Sequence, residues 1–174
     1  MITGVYGSGK SSIAAEIGYL LEQRDELYGL LDLDYLGWIG DHEMGFRMML
    51  RNLVTVAANF REVGARYFVV AYFVRDREAL TSVTAALGVP TKVVRVEVPL
   101  REIEQRLSAD VTSGRQDDLR DAAAALASSA GVGIEDLAVR NDRPVPVIAR
   151  ELMSWLGWDR RDRPASAASP GQRS

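Results

Sequence analysis

Residues Gly4 to Ser11 read GVYGSGKS, and the organisation of the rest of the chain follows from them. The stretch fits the pattern G-x-x-x-x-G-K-[S/T] at every fixed position, with a short apolar segment before it and an amphipathic pattern after it. Glycines let the backbone bend so that successive N–H groups point at phosphate oxygens, and the N-terminus of the following helix adds the positive end of its dipole. The sequence therefore predicts a phosphate-binding loop between the first strand and the first helix.

The last two residues of the motif carry the chemistry of a nucleotide site. The Lys10 ammonium would reach the β and γ phosphates of ATP as a catalytic group, and the Ser11 hydroxyl would be a ligand of Mg²⁺. We therefore predict ATP and Mg²⁺ as the ligands of this loop. The predicted nucleotide-binding residues of the loop are Gly4, Gly7, Ser8, Gly9, Lys10, Ser11 and Ser12.

Short apolar, β-branched runs alternate with longer amphipathic runs along the rest of the chain. Helices are predicted over Lys10–Gln23 and Met48–Val63, and a last helix reaches Trp155. The predicted strands are Met1–Val5, Leu27–Leu33, Arg66–Val74, Thr91–Val98 and Leu137–Arg140. This alternation predicts an α/β fold, a parallel five-stranded sheet with helices on both faces joined by right-handed crossovers.

The sequence argues against two large classes of nucleotide-binding protein. The most apolar predicted strand, YFVVAYFV over residues 67–74, ends in Arg75-Asp76 and not in the carboxylate that motor and transporter ATPases place there. The guanine-reading sequence Asn-Lys-x-Asp is missing, because Asn141-Asp142 is followed by Arg-Pro. Mechanical ATPases and switch GTPases are therefore disfavoured.

From about Met1 to Trp158 the chain resembles the small P-loop kinases, a group that includes adenylylsulfate kinase, gluconate kinase, shikimate kinase and chloramphenicol phosphotransferase. The loop motif, the pair Asp32-x-Asp34 and the run VAANFREVG over residues 56–64 carry the resemblance. It implies a three-layer, P-loop nucleoside-kinase-like fold with a small lid over about 106–120. It also implies ATP-dependent transfer of the γ-phosphoryl group to a hydroxyl of a small molecule. Asp32-Leu33-Asp34-Tyr35 stands where adenylylsulfate kinases have Asp-Gly-Asp-Asn, so the acceptor itself is not identified.

In such kinases the carboxylates after the second strand divide two tasks. One helps to hold Mg²⁺, while the other faces the acceptor and takes its hydroxyl proton. We assign Asp32 to Mg²⁺ and Asp34 to the acceptor, with the two roles interchangeable. A polar turn that caps a helix is the alternative explanation of this pair.

The resemblance also implies that lid arginines neutralise the charge that develops on the γ-phosphoryl oxygens. Arg106 near the end of the helical stretch PLREIEQRL and Arg115 in the polar segment of residues 108–120 are predicted in that role. In similar kinases the loop at residues 139–144 packs against adenine, so Asn141 and Arg143 are predicted to contact the base. Solvated surface arginines and a simple strand-to-helix turn are the respective alternatives.

The acceptor is expected beyond the strand ends, between the Asp pair and the helix opening near Phe46 to Asn52. Two kinds of side chain there suggest two kinds of acceptor. Arg47 and Arg51 would hold an anionic acceptor, whereas Tyr35, Trp38 and Phe46 would pack on a ring, and a purely structural role is the alternative for each. His42, the only histidine, is predicted to be a surface residue.

The overall composition argues against several classes of binding partner and site. A formal charge of −3 and a pI near 5.3 give no basic field for nucleic acid or an anionic membrane. The absence of Cys excludes disulfides and thiolate sites. Short apolar runs and the lack of a secretory pattern predict a cytoplasmic protein. We expect one kinase domain over residues 1–158 and a disordered tail over 159–174.

Two further functions stay open at the level of the sequence. The first is a nucleoside monophosphate kinase, whose acceptor phosphate would need arginines in place of a base. The second is a nucleotide-binding regulatory module without catalysis. The sequence predicts neither the identity of the acceptor nor an oligomeric state.

Overall fold

The computed structural model describes residues 1–109 and 114–159 and, for His42 and Arg115, the backbone alone. In this part of the chain five parallel strands form one sheet in the order β2-β3-β1-β4-β5. Ile2 pairs with both Ala71 and Val94, so β1 lies at the centre of the sheet. The strands are β1 (Ile2–Thr3), β2 (Tyr28–Asp32), β3 (Tyr67–Ala71), β4 (Val94–Glu97) and β5 (Leu137–Arg140).

The helices follow the strands in the alternation that the sequence predicts. They are α1 (Lys10–Glu22), α2 (His42–Glu62), α3 (Arg77–Leu87), α4 (Leu100–Ser108), α5 (Arg115–Ala127) and α6 (Val145–Trp155), with a 3₁₀ helix over Leu33–Leu36. Helix α2 begins six residues before the predicted start at Met48, because the Asp41 carboxylate accepts a hydrogen bond of 2.8 Å from the Met44 N–H and caps the helix there.

Both faces of the sheet are buried, as a doubly covered parallel sheet requires. Val69 and Val70 are neighbours on β3 and point to opposite faces, yet they are only 3% and 1% exposed. Val69 packs in the cluster that contains residues of α1, α5 and α6, and Val70 packs in the cluster that contains residues of α2 and α3. The predicted three-layer α/β fold is confirmed.

Four of the five strands are shorter than predicted, and β5 has the predicted bounds. β1 spans two residues because Gly4 leaves the extended conformation with a φ of 152°. Val74 is fully buried, but its N–H donates to the Thr3 hydroxyl and not to a neighbouring strand. Apolar composition therefore marks burial more reliably than it marks pairing.

The predicted lid and tail are only partly covered by the described residues. Helix α4 ends at Ser108 and α5 begins at Arg115, so the segment from 106 to 120 includes the ends of two helices, while residues 110–113 lie outside the described part. Residues 160–174 of the predicted tail also lie outside it. None of the described helices combines the length and apolar character needed to cross a membrane.

Candidate active site

The loop after β1 has the backbone shape that its glycines predict. Gly4, Gly7 and Gly9 all have positive φ, and that of Gly9 is 93°. A Cβ atom at Gly9 would lie 2.3 Å from the Asn141 Nδ2 atom, and a Cβ atom at Gly4 would lie 2.9 Å from the Val96 carbonyl oxygen. Glycine is therefore needed at both positions for conformation and for close packing.

The loop leads into α1, whose N-terminus is suited to an anion. Its N-cap is Gly9, which supplies no side-chain cap, and the first turn contains no acidic residue. Helix N-termini carry unsatisfied N–H groups and the positive end of the helix dipole. Lys10 is 5% exposed, and its Nζ atom lies 5.0 Å from the centre of the Tyr6 ring. Amides, dipole and a buried ammonium together fit a phosphate group.

The Ser11 hydroxyl and the Asp32 carboxylate meet at the mouth of this loop. Ser11 Oγ donates to Asp32 Oδ2 over 2.7 Å, and Asp32 Oδ1 accepts from the Asp34 N–H over 3.2 Å. A hydroxyl and one carboxylate are the oxygen ligands that Mg²⁺ takes when phosphates complete its shell. Among the described residues no three His, Asp or Glu side chains cluster as a metal site.

Asp32 also explains the polar turn that follows β2. Its carboxylate caps the 3₁₀ helix by accepting a hydrogen bond from the Asp34 N–H, and it also accepts one from Ser11. The structural role that the sequence offered as the alternative and the contact with the phosphate loop therefore belong to the same side chain. Asp32 lies at the carboxyl end of β2, in register with Ala71 of β3. The strand therefore delivers it to the same edge of the sheet as the phosphate loop.

Asp34 occupies a less solvated position than an ordinary surface carboxylate. Burial raises the pKa of Asp34; the nearby Lys10 opposes this shift, and the carboxylates of Asp32 and Asp118 add to it. A carboxylate whose pKa is raised holds a proton more readily than a solvated one. This property suits a group that accepts a proton during a reaction.

Two tyrosines that sequence reasoning missed lie near Asp34. Burial raises the pKa of Tyr6 to about 12, and the charges of Asp34 and Asp118 contribute. Burial likewise raises the pKa of Tyr72, again with a contribution from Asp34. Tyr6 follows β1 and Tyr72 follows β3, so strand ends were the available signal. Both remain neutral phenols near pH 7 and can donate hydrogen bonds at this edge of the sheet.

A cleft of about 740 Å³ lies beside the loop. It brings together the loop, α4 and the segment between β5 and α6. Its lining residues are Gly7, Gly9, Lys10, Ser11, Ser12, Glu102, Arg106, Asn141, Asp142, Arg143, Pro144 and Val145. Five of the seven predicted phosphate-binding residues thus line one cleft together with Asn141 and Arg143, while Gly4 and Ser8 are not part of its lining.

Arg106 takes a position that its predicted lid role did not anticipate. Its guanidinium donates to the carbonyl oxygens of Gly7 and Ser8 over 3.2 and 3.3 Å and to that of Asn141 over 3.2 Å. It therefore contacts the carbonyl side of the loop. Its contact with a phosphoryl group stays a prediction, and the side chain of Arg115 lies outside the described residues.

Asn141 and Arg143 differ in how firmly they are held. The Asn141 side chain is 8% exposed, and its Nδ2 donates to the Ser8 carbonyl over 2.7 Å. Arg143 pairs with Glu151 of α6 over 2.6 Å and with Asp142 over 3.5 Å at a more exposed position. Contact of either residue with a base remains a prediction.

The predicted acceptor residues separate into packed and exposed groups. Phe46 packs against the core between the sheet and α2. Tyr35 and Trp38 are 72% and 78% exposed, and their ring centres lie 5.9 Å apart. The Arg47 guanidinium is 4.0 Å from the Glu43 carboxylate. The two exposed aromatic residues lie within four residues of Asp34 in the chain. Packing of these rings on a ring of the acceptor stays a prediction.

Comparison with known proteins places this fold among solved structures. Neither a protein-family model nor a curated protein sequence matches the chain. Structurally it is similar to the APS kinase of Mycobacterium tuberculosis in complex with AMPPNP and APS, with 23% identity, a TM-score of 0.59, and 90% of this chain and 95% of that chain covered.

Two further solved structures, both of kinases, are similar to this chain over most of its length. A sugar kinase from Janibacter sp. HTCC2649 has 16% identity and a TM-score of 0.64, with 91% of this chain and 93% of that chain covered. Shikimate kinase from Acinetobacter baumannii in complex with shikimate has 16% identity and a TM-score of 0.55, with coverages of 89% and 90%. The chain has the fold of the small P-loop kinases, as the sequence predicted.

Proposed function

We propose that this chain is an ATP- and Mg²⁺-dependent phosphotransferase that moves the γ-phosphoryl group of ATP to a hydroxyl of a small molecule. The observation that carries the proposal is the hydrogen-bonded series Ser11, Asp32 and Asp34 at the mouth of a glycine loop that ends in the buried Lys10. The shared fold with small-molecule kinases supports it.

The phosphate side needs no covalent chemistry from the protein. The loop amides and Lys10 would hold the β and γ phosphates, and Ser11 and Asp32 would hold Mg²⁺. When bound, Mg²⁺ supplies neutralisation of phosphate charge. The protein then contributes position and a preorganised positive field, the two terms on which phosphoryl transfer mainly depends.

On the acceptor side we assign Asp34 as the general base. The acceptor hydroxyl gives its proton to the Asp34 carboxylate while its oxygen forms a bond to the γ phosphorus. The bond between that phosphorus and the β–γ bridging oxygen breaks, and ADP leaves with the electron pair. The raised pKa of Asp34 helps, because a better proton acceptor lowers the barrier to this transfer.

The charges near Asp34 favour a hydroxyl over a phosphate acceptor. Lys10 acts on Asp34 as an opposite charge, and Asp32 and Asp118 act on it as like charges. A nucleoside monophosphate would bring a further negative group toward these carboxylates and would need arginines to offset the repulsion. Arg47, one of the two arginines predicted for that task, is an exposed residue beside Glu43.

ADP release with ATP and Mg²⁺ tests the proposal across a panel of sugars, nucleosides, hydroxylated antibiotics, nucleoside monophosphates and adenylyl sulfate. We expect at least one hydroxyl acceptor to raise the rate, and we expect Lys10→Ala to lower that rate by about 100- to 1,000-fold. Lys92→Ala is the matched control, since Lys92 is exposed and pairs with Asp136. Stimulation by monophosphates alone, or tight ATP binding without turnover on any acceptor, would contradict the proposal.

A further inference from the structure

The carbonyl groups of the phosphate loop have donors of their own. In a loop whose N–H groups point inward at phosphate, the intervening carbonyl groups must point outward. Buried carbonyl groups need hydrogen-bond partners. Arg106 donates to the carbonyls of Gly7 and Ser8, and Asn141 Nδ2 donates to that of Ser8.

These two donors are linked to each other and to the sheet. Arg106 also donates to the Asn141 carbonyl over 3.2 Å, and the Asn141 N–H donates to the Glu97 carbonyl at the end of β4 over 3.0 Å. Glu102, one turn earlier on α4, lies 3.6 Å from the Arg106 guanidinium. The guanidinium therefore contacts one carboxylate and three carbonyl oxygens.

The packing at Gly9 shows how closely this arrangement fits the loop. A Cβ atom there would lie 2.3 Å from Asn141 Nδ2 and 3.7 Å from the Arg106 NH1 atom. Gly9 is the N-cap of α1, immediately before Lys10. The fixed glycine of the motif thus leaves room for the two donors as well as for phosphate.

We propose that Arg106 and Asn141 are positioning residues that form a clamp on the loop carbonyls and thereby keep the loop N–H groups directed at phosphate. The proposal rests on the proposed function only in taking a Mg²⁺ nucleotide as the ligand. It differs from two other roles for Arg106, namely contact with the γ-phosphoryl group and contact with the base. A peptide group of the loop that lost its donor would turn its carbonyl oxygen inward, where it would repel phosphate.

Three probes separate these roles: ATP, ADP and inorganic tripolyphosphate, each titrated with Mg²⁺ by calorimetry into the full chain. The clamp predicts that Arg106→Gln weakens all three by a similar factor of about 10- to 100-fold, because it acts on the loop itself. Arg101→Gln on the exposed face of α4 is the control and should leave all three affinities unchanged.

A loss for ATP and tripolyphosphate that spares ADP would show a γ-phosphoryl contact, and unchanged tripolyphosphate binding would show a base contact. Either result overturns the clamp. Arg106→Lys keeps the charge and the aliphatic stem and serves if Arg106→Gln does not fold. A guanidinium carries its donors on separate nitrogen atoms, whereas a lysine has one ammonium, which cannot reach all three carbonyl oxygens. The clamp therefore predicts that Arg106→Lys also weakens the binding of all three probes.

Asn141→Ala gives a second, independent test. The clamp predicts that this change weakens the same three probes and that the double change with Arg106→Gln costs less than the product of the single losses, since both act on one loop. Multiplicative losses would overturn the proposal. Because no acceptor is needed, failure of the clamp is distinct from failure of the phosphotransferase proposal, which would appear as nucleotide binding without turnover.

Discussion

The phosphate side and the acceptor side of the proposed site are built in different ways. The phosphate side is one continuous stretch, residues 4–12, whose groups are mostly backbone amides fixed by glycine geometry and carbonyl hydrogen bonds. The acceptor side is assembled from separate elements. It contains Asp34 after β2, Tyr72 after β3 and the exposed aromatic pair Tyr35 and Trp38, whose ring centres lie 5.9 Å apart.

This difference determines which substitutions each side of the site can tolerate. Ser8 and Lys10 are buried, so substitution on the phosphate side disturbs the loop itself. Tyr35 and Trp38 project from a turn that is also held by α2, since Asn52 Nδ2 donates to the Leu36 carbonyl over 2.7 Å. A fold built this way can keep one nucleotide site while its acceptor contacts vary.

The largest expected effect that separates the two sides is on turnover. Asp34→Asn keeps the shape of the side chain but removes the proton acceptor, so we expect turnover to fall by about 100- to 10,000-fold. ATP affinity should not fall, because Asp34 belongs to the acceptor side and its negative charge does not attract phosphate. The measurements are the initial rate of ADP release with an active acceptor and calorimetric titration with ATP and Mg²⁺.

Glu62→Gln, at the exposed end of α2, controls for the loss of one carboxylate and should change neither quantity. Undiminished turnover in Asp34→Asn would remove Asp34 from the role of base. An equal loss in ATP affinity and in turnover would show that the two sides are one mechanical unit and that the comparison is wrong.

A smaller effect is expected from a methyl group added to the phosphate side. Gly9→Ala places a Cβ atom 2.3 Å from Asn141 Nδ2 in a residue with φ of 93°. The resulting displacement of the loop should lower ATP affinity by about tenfold or more. Gly133→Ala is matched in backbone, with φ of 80°, but a Cβ there meets no atom within 4 Å.

Comparison of the two alanine variants separates backbone strain from collision. Both should lose about 1–2 kcal/mol of unfolding free energy to the left-handed conformation, and Gly9→Ala should lose more. Denaturant unfolding and ATP titration measure the two quantities. Equal destabilisation, or ATP affinity that survives Gly9→Ala, would contradict the close packing described for the loop.

The sequence predicted the fold and the loop because both depend on local patterns. Glycines at fixed positions specify backbone shape, and β-branched runs that alternate with amphipathic runs specify a covered parallel sheet. The strand ends were predicted less well, since Val74 is buried without pairing. Helix α2 was predicted too short because the capping role of Asp41 was not recognised.

The contacts of the site depend on tertiary structure and were only partly predictable. Proximity of Asp32 to the loop follows from its place at a strand end. The contact of Arg106 with loop carbonyls does not, because α4 is about a hundred residues away in sequence and a helical arginine can face several ways. Tyr6 stands at a variable position of the motif, so the motif gave no reason to single it out.

The smallest expected effect concerns stability on the acceptor side. Burial raises the pKa of Asp34 in the folded chain above that of the unfolded chain. Such a group contributes its stability below the unfolded pKa, and that contribution is lost as the pH rises through the folded pKa.

At neutral pH the ionised Asp34 therefore destabilises the fold, and Asp34→Asn should melt at a higher temperature than the wild type. The difference should shrink as the pH falls through the raised pKa of Asp34. A difference in Tm that stays constant with pH, or a less stable Asp34→Asn at neutral pH, would mean that the acceptor side is not under electrostatic strain and is built as favourably as the phosphate side.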